Sequence, residues 1–323
     1  MNVTDSEAAA APGRPKQGPA PSGGSAAHAV ASVGATPWWP AEAIWEAIAP
    51  DLPGFSVEVL PQIDSTNSEL MRRARAGRAE PVLLVAEQQT AGRGRLGRQW
   101  ISDVGESFAA GPPQGETALS GGSAVRAATS MGATSSLTFS LGLPLAPRDW
   151  SGLSLAVGVS VAQSLHPDLR LKWPNDLWWK GRKLAGILIE TATVGQNPAC
   201  RYAVVGVGIN IQAPRAGGLA TPPAWLQEVL PGVDAAQALL RIAAALVQTL
   251  KTFEGQGFAP FLGAFNARDA LHGMAITLSD GGSGIAQGVD GTGALRVQTA
   301  QGLQAITSSE VSVRLHAGPA AVS

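Results

Sequence analysis

The chain of 323 residues is long enough for one large domain with a smaller one beside it, and its 45% hydrophobic content is that of an ordinary globular protein. With 23 Lys+Arg against 24 Asp+Glu there is no chain-wide electrostatic case for nucleic acid or an anionic membrane, so any basic function has to be local. A single cysteine, Cys200, excludes an intramolecular disulfide framework; four scattered histidines offer no zinc-like spacing, and no run resembles a membrane span or a signal peptide, which together suit a cytoplasmic protein.

The 39 Gly and 23 Pro exceed average usage and gather in two tracts. Residues 1–36 are mostly Ala, Gly, Pro and Ser, too poor in large apolar groups to offset ordering entropy, and are expected to be a disordered tail, as are 317–323. Residues 103–133 read as an insertion in a surface loop, tolerated because closure entropy grows slowly with length.

Between these tracts the pattern is regular. Ile44, Trp45 and Ile48 share one face of a short helix over Ala41 to Ala49, and a strand at Phe55 to Ile63 leads through Asp64-Ser65-Thr66-Asn67 into a helix over Ser68 to Ala76. Thr66 with Glu69 three residues on has the capping-box spacing, which puts Ser65, Thr66 and Asn67 at a helix N-terminus. Pro81 to Glu87 is a buried strand, and a Gly-Arg loop follows it. Strands at Ser136 to Leu141, Leu169 to Trp173, Leu184 to Glu190 and Tyr202 to Ile211 surround a helix over Leu153 to Leu165, and two more helices run over Ala235 to Phe253 and Phe258 to Ala270. From Gly273 short strands alternate with turns such as Asp290-Gly291, the pattern of a small all-β barrel. The expected organisation is a mixed α/β domain over 37–270 and a barrel over 271–316.

Two stretches carry the chemistry. In Gly92-Arg93-Gly94-Arg95-Leu96-Gly97-Arg98, arginines alternate with glycine-freed backbone, which suits a mobile loop folding over an anion; a solvated basic loop or an RGG-like RNA contact is the alternative. Lys172 and Lys183 flank Pro174-Asn175-Asp176, and Lys183 precedes a strongly apolar strand, so its ammonium can sit at the mouth of a sheet; Lys180 and Arg182 read as the exposed cap of a turn. Ser65, Thr66 and Asn67 offer hydroxyls and an amide for a neutral polar ligand, although capping alone explains two of them. Gly206, Gly208 and Asn210 either bring backbone close to a nucleotide or end a strand, and Trp100 either stacks on a purine or packs in the core.

Four motifs in this order, Asp64-Ser65-Thr66-Asn67, Gln89 through Arg98, Lys172 through Glu190 and Gly206 through Asn210, closely resemble those of the bacterial biotin protein ligases. The resemblance covers residues 55 to 316. It implies a class II synthetase-like mixed-sheet domain with an SH3-like barrel, and activation of biotin by ATP and Mg2+ before transfer to a lysine of the biotin carboxyl carrier protein. It also implies that Ser65, Thr66, Asn67, Gln89, Arg93, Gly94 and Gly186 bind biotin, with Arg95 and Lys183 reaching its carboxylate. Arg95, Lys183 and Asp176 are the implied catalytic set, and Trp100, Lys172, Asn175 and Asn210 the nucleotide set, with Asn210 or Asp176 near Mg2+. Some members carry an N-terminal helix-turn-helix repressor domain; residues 1–40 lack its pattern, so no DNA binding is expected. A homodimer is compatible with the sequence. A lipoate protein ligase shares the chemistry but fits the Gly-Arg loop and barrel less well, and an RNA-binding protein would need a broader basic surface.

Overall fold

The computed structural model describes residues 39–100, 134–195, 199–213, 222–279, 281–307 and 313–315. The expectations for the two tails and for the 103–133 insertion lie outside these residues.

A seven-stranded mixed sheet has the order β1-β2-β3-β7-β6-β5-β4. Its strands are β1 (Ser56–Ile63), β2 (Val82–Gln89), β3 (Ser136–Leu145), β4 (Arg170–Lys172), β5 (Asp176–Trp179), β6 (Arg182–Thr193) and β7 (Arg201–Asn210). Only β1 and β2 run parallel, joined across the sheet by helix α2 (Thr66–Arg75); the other neighbours are antiparallel. β3 and β7 are buried along almost their whole length because both faces of the sheet are covered. On one face α3 (Leu153–Leu165) packs with α4 (Ala235–Gln256) and α1 (Ala41–Ile48) over Leu83, Val85, Phe139 and Val205. On the other, Leu70, Met71 and Ala74 of α2 cover Val82, Leu84, Tyr202 and Val204. α3 is buried nearly all round and so shows little amphipathic contrast, whereas α4 buries a stripe including Leu239, Ile242, Leu246 and Leu250 and is capped by Asp234, which accepts from Gln237 N at 2.7 Å.

Three local expectations shift. Ser65, not Thr66, caps α2: its backbone is extended, its side chain accepts from Ser68 N at 3.4 Å, and Glu69 turns to Arg72 and Arg73 instead of back to the cap. The turn at Pro174-Asn175-Asp176 is followed by a further strand, β5, whose hairpin to β6 is closed by Lys180 (φ 47) and Gly181 (φ 75), the paired positive φ that a two-residue turn requires. The helix expected over Phe258 to Ala270 is a 3-10 turn at Ala259–Phe261, with Pro260 inside it, running into α5 (Leu262–Asn266). The chain then lies along β4, with Leu171 N donating to Arg268 O and Ala270 N to Leu171 O.

The C-terminal strands β8 (Ala275–Leu278), β9 (Ser283–Val289), β10 (Leu295–Thr299), β11 (Gly302–Ile306) and β12 (Val313–Leu315) form an antiparallel sheet ordered β11-β10-β9-β8-β12. Among the described residues no pairing closes this sheet into a barrel. Ile276, Leu295, Val297 and Val313 belong to the same buried cluster as α3 and Phe265, so the two sheets share a core.

Candidate active site

The cleft lies where α2 begins, above the ends of β2, β6 and β7. It encloses about 740 Å³ including its open mouth, a size suited to a small-molecule ligand. At one end Ser65, Thr66 and Asn67 are 2%, 3% and 4% exposed. Gln89, the last residue of β2, accepts at Oε1 from Thr66 N (2.8 Å) and Thr66 Oγ1 (3.2 Å), and so ties strand to helix. Ser140 of β3 supplies a fully buried hydroxyl 2.7 Å from Thr66 Oγ1 and 2.6 Å from Asn67 Oδ1. Asn67 Nδ2 donates to Leu188 O at 3.2 Å and to Glu190 Oε2 at 3.1 Å. Both hydrogens of that amide are thus committed to protein, and Asn67 orders the pocket from within. Gly206 lies against the same amide so closely that a Cβ there would overlap it.

The floor is glycine backbone, with Trp100 and Lys183 folded onto it. Gly186 and Gly208 face each other across β6 and β7, and the Trp100 indole lies on Gly208 in the space a side chain would fill. The Gly-Arg segment leading to Trp100 is a small hairpin: Gly94 N donates to Arg98 O (2.7 Å), Trp100 N to Gly92 O (2.9 Å), and Arg93 bridges Gln99, with Leu96 (φ 56) and Gly97 (φ 71) at the tip. Arg93 reaches across to Glu190, with Nη1 at 3.0 and 3.2 Å from the two carboxylate oxygens.

Cations collect at the other end. Lys183 Nζ is 2.7 Å from Asp176 Oδ1, and the lysine folds over Gly186. Arg95 also lines the cleft; burial pushes its guanidinium below the usual range, Asp176 works against that shift, and Arg98 adds to it. An arginine keeps its charge under such a shift, so the site holds a desolvated cation whose field an arriving anion would meet at low dielectric. Asn175 is laced to β6 by Nδ2 to Ile187 O (2.7 Å) and by the Ile187 N bond to its own carbonyl (3.0 Å).

Of the residues singled out in the sequence, Ser65, Thr66, Asn67, Gln89, Arg93, Gly94, Arg95, Trp100, Asn175, Asp176, Lys183 and Gly186 all line this one cleft. Lys172 and Asn210 do not. Lys172 Nζ donates to Val313 O at 2.8 Å and lies 5.0 Å from the Trp178 ring centre, while Asn210 is buried and its Nδ2 donates to Ala224 O at 3.0 Å. Arg182 is no exposed turn cap: it pairs with Glu228 and lies over Trp225. Trp179 packs against the main core. Ser140 was not anticipated, and Glu190 figured only as the end of a motif, although a buried serine in a strand is itself a signal that its hydroxyl has a partner.

Among the described residues no three His, Cys, Asp or Glu side chains cluster as a metal cage, and Asp176 is the one carboxylate lining the cleft. This donor set fits a Mg2+ that arrives on phosphates and takes one protein carboxylate, not a resident ion.

Residues 59–210 match the Biotin/lipoate A/B protein ligase family, and residues 275–314 the Biotin protein ligase C terminal domain. A Biotin--[acetyl-CoA-carboxylase] ligase from Paracoccus denitrificans is 33% identical over 261 residues, 78% of this chain and 98% of that protein. The Bifunctional ligase/repressor BirA of Escherichia coli is 32% identical over 275 residues, 81% of this chain and 75% of that protein. The solved biotin protein ligase of Aquifex aeolicus in complex with biotin and ATP superposes with a TM-score of 0.60 at 26% identity, covering 80% of this chain and 98% of that one.

Proposed function

Because the chain belongs to the biotin/lipoate A/B protein ligase family, as a biotin ligase, we propose that it activates biotin as biotinyl-5'-AMP. It then transfers the biotinyl group to a lysine of the biotin carboxyl carrier protein of acetyl-CoA carboxylase. One observation carries this reading: a neutral donor-and-acceptor pocket and a pair of half-buried cations stand at opposite ends of one glycine-floored cleft.

Biotin's bicyclic urea presents one acceptor and two donors. The Ser65 hydroxyl, the Gln89 and Thr66 polar groups and the backbone freed by Gly94 form the matching edge, while Asn67 holds the wall behind them. The aliphatic chain runs from there along the cleft past Trp100, and Arg95 and Lys183 meet its carboxylate. There the carboxylate oxygen attacks the α-phosphorus of ATP, forming a C–O–P anhydride and breaking the bond to pyrophosphate. Two anions have to meet, and Arg95 and Lys183 offset their repulsion and the charge that builds on the phosphoryl oxygens. Asp176, the carboxylate lining the cleft, would hold a Mg2+ that arrives on ATP, and the ion would supply charge neutralisation for the leaving pyrophosphate. Trp100 covers the adenine, and the hairpin that carries it shields the anhydride from water. In the second step the carrier lysine amine attacks the acyl carbon, forming the amide and releasing AMP. Asp176 orients that amine and accepts its proton. Asp176→Asn should therefore slow transfer from preformed adenylate by about ten- to a hundredfold, and normal transfer in a rapid-quench assay would overturn this role.

Lys172 and Asn210 serve the site from behind, through Val313 and Ala224. The deciding experiment mixes the protein with biotin, MgATP and an unmodified carrier domain and looks for one added biotinyl group by mass. Modification with biotin and none with lipoate is expected; no modification of a carrier that a known ligase does label would overturn the proposal.

A further inference from the structure

Glu190 takes no part in the chemistry outlined above, yet three parts of the site converge on it. Its carboxylate accepts from Arg93 Nη1 of the hairpin at 3.0 and 3.2 Å and from Asn67 Nδ2 of the pocket wall at 3.1 Å. Behind Asn67 the same chain of bonds continues to Ser140 Oγ on β3 at 2.6 Å, and from there to Thr66 Oγ1 at 2.7 Å. Glu190 itself belongs to β6, where its register partner is Val204 of β7, so it is fixed in the sheet while Arg93 belongs to the hairpin. Its side chain is 21% exposed and that of Arg93 49%. A carboxylate has lone pairs enough for both partners, and each bond orients it for the other.

We propose that Glu190 is the positioning residue that latches the Arg93 hairpin to the pocket wall, coupling closure over the ligand to the seating of Asn67. The inference rests on the biotin ligase reading above. The hairpin is also tied down at its first stem, by Thr90 N to Ile63 O (2.9 Å) and Ala91 N to Asp64 O (2.8 Å), by Arg95 facing Asp176, and by Trp100 lying on Gly208. Loss of the charge at position 190 would raise the open population of the hairpin, and an open hairpin weakens biotin binding and releases the adenylate sooner without altering the groups that perform the chemistry.

The test uses Glu190→Gln, nearly isosteric and still able to accept from Asn67. In biotin-dependent ATP–pyrophosphate exchange the variant should show a biotin KM raised about three- to fivefold, as befits a half-exposed ion pair, with kcat at saturating biotin nearly unchanged. Preformed biotinyl adenylate should leave the variant faster by a similar factor. In an Arg93→Gln background the substitution should add nothing, because its partner is already gone. A lowered Tm with wild-type KM and wild-type adenylate release would mark a purely structural residue and overturn the latch, as would additive effects of the two substitutions. Wild-type protein that shows no biotin-dependent exchange would overturn the ligase reading and the latch together; an active wild type with an unaffected variant overturns the latch alone.

Discussion

Ser140 has one hydroxyl hydrogen and two oxygens within reach, Thr66 Oγ1 and Asn67 Oδ1, in a place without solvent. The Asn67 carbonyl is an acceptor only, whereas the Thr66 hydroxyl can donate for itself to Gln89 Oε1, so the Ser140 hydrogen belongs to Asn67 and the wall of the ureido pocket is set by a hydroxyl on the neighbouring strand. Ser140→Ala leaves the Asn67 carbonyl buried short of a donor, at a cost of about 1–2 kcal/mol. The variant should melt several degrees lower and bind biotin more weakly by calorimetry; unchanged values for both would show the hydroxyl to be idle. The contacting residues at both ends of the cleft are legible in the sequence because hydroxyls, amides and arginines set among glycines are chemically distinctive. Ser140 and Glu190 are not, since the partners that give them meaning lie 73 and 97 residues away and meet only when α2 docks on the sheet.

At the scale of elements, α2 is held to the sheet by its charges as well as by its apolar face. Arg73 bridges Glu69 and Glu58, and Arg72 bridges Glu69 and Asp64, all at 2.7–2.8 Å. Hydrogen bonds from Arg72 hold the Asp64 carboxyl below its usual range, and those from Arg73, then Arg72, do the same for Glu69. A depressed folded pKa gives stability that is present above the unfolded carboxylate pKa, near 4, and lost as pH falls through the lower folded value. The contribution of these pairs to melting temperature and biotin affinity should therefore hold steady from neutral pH down to about 4.5 and decline below it. Arg73→Met should blunt that decline, and an equal decline in the variant would show that other groups govern it. The strand and helix patterns are readable wherever apolar residues repeat. β5 escapes because its four residues, Asp-Leu-Trp-Trp, have no room to show a period, and the split before α5 follows from Pro260 removing a backbone donor.

Across the whole molecule, the C-terminal sheet is joined to the strand that leads into the site. Lys172 bonds Val313, the Trp173 indole donates to Gly293 O at 3.1 Å, and the chain from Arg268 to Ala270 hydrogen bonds to Leu171. A change of pattern near Gly273 reveals that an all-β segment begins there, but nothing local indicates that it would dock on β4. Asp269 sits at this junction with one carboxylate oxygen buried and without a hydrogen-bond partner among the described residues, and burial pushes its pKa up. A raised folded pKa means that ionisation costs more in the folded state, so this stability is present at low pH and lost as pH rises through the folded value. Asp269→Asn keeps an acceptor for Leu271 N and removes the charge, and should gain up to about 1 kcal/mol at pH 7 in denaturant unfolding, with the gain shrinking towards pH 4. A destabilised variant at pH 7 would show that the ionised form is needed there.

The strip of cleft between Asn67 and Lys183 also acts as a ruler. Asn67 fixes one end of this strip and the Lys183–Asp176 pair the other, and both ends are anchored to strands of one continuous ladder. A molecule laid along it is judged by span as well as by its ring. Biotin analogues with a side chain one methylene shorter or longer should keep their bicyclic contacts yet miss the cations, lowering exchange kcat by at least about tenfold while competing with biotin at similar concentrations. Equal turnover for all three lengths would mean that the far end adjusts to the ligand and the strip measures nothing.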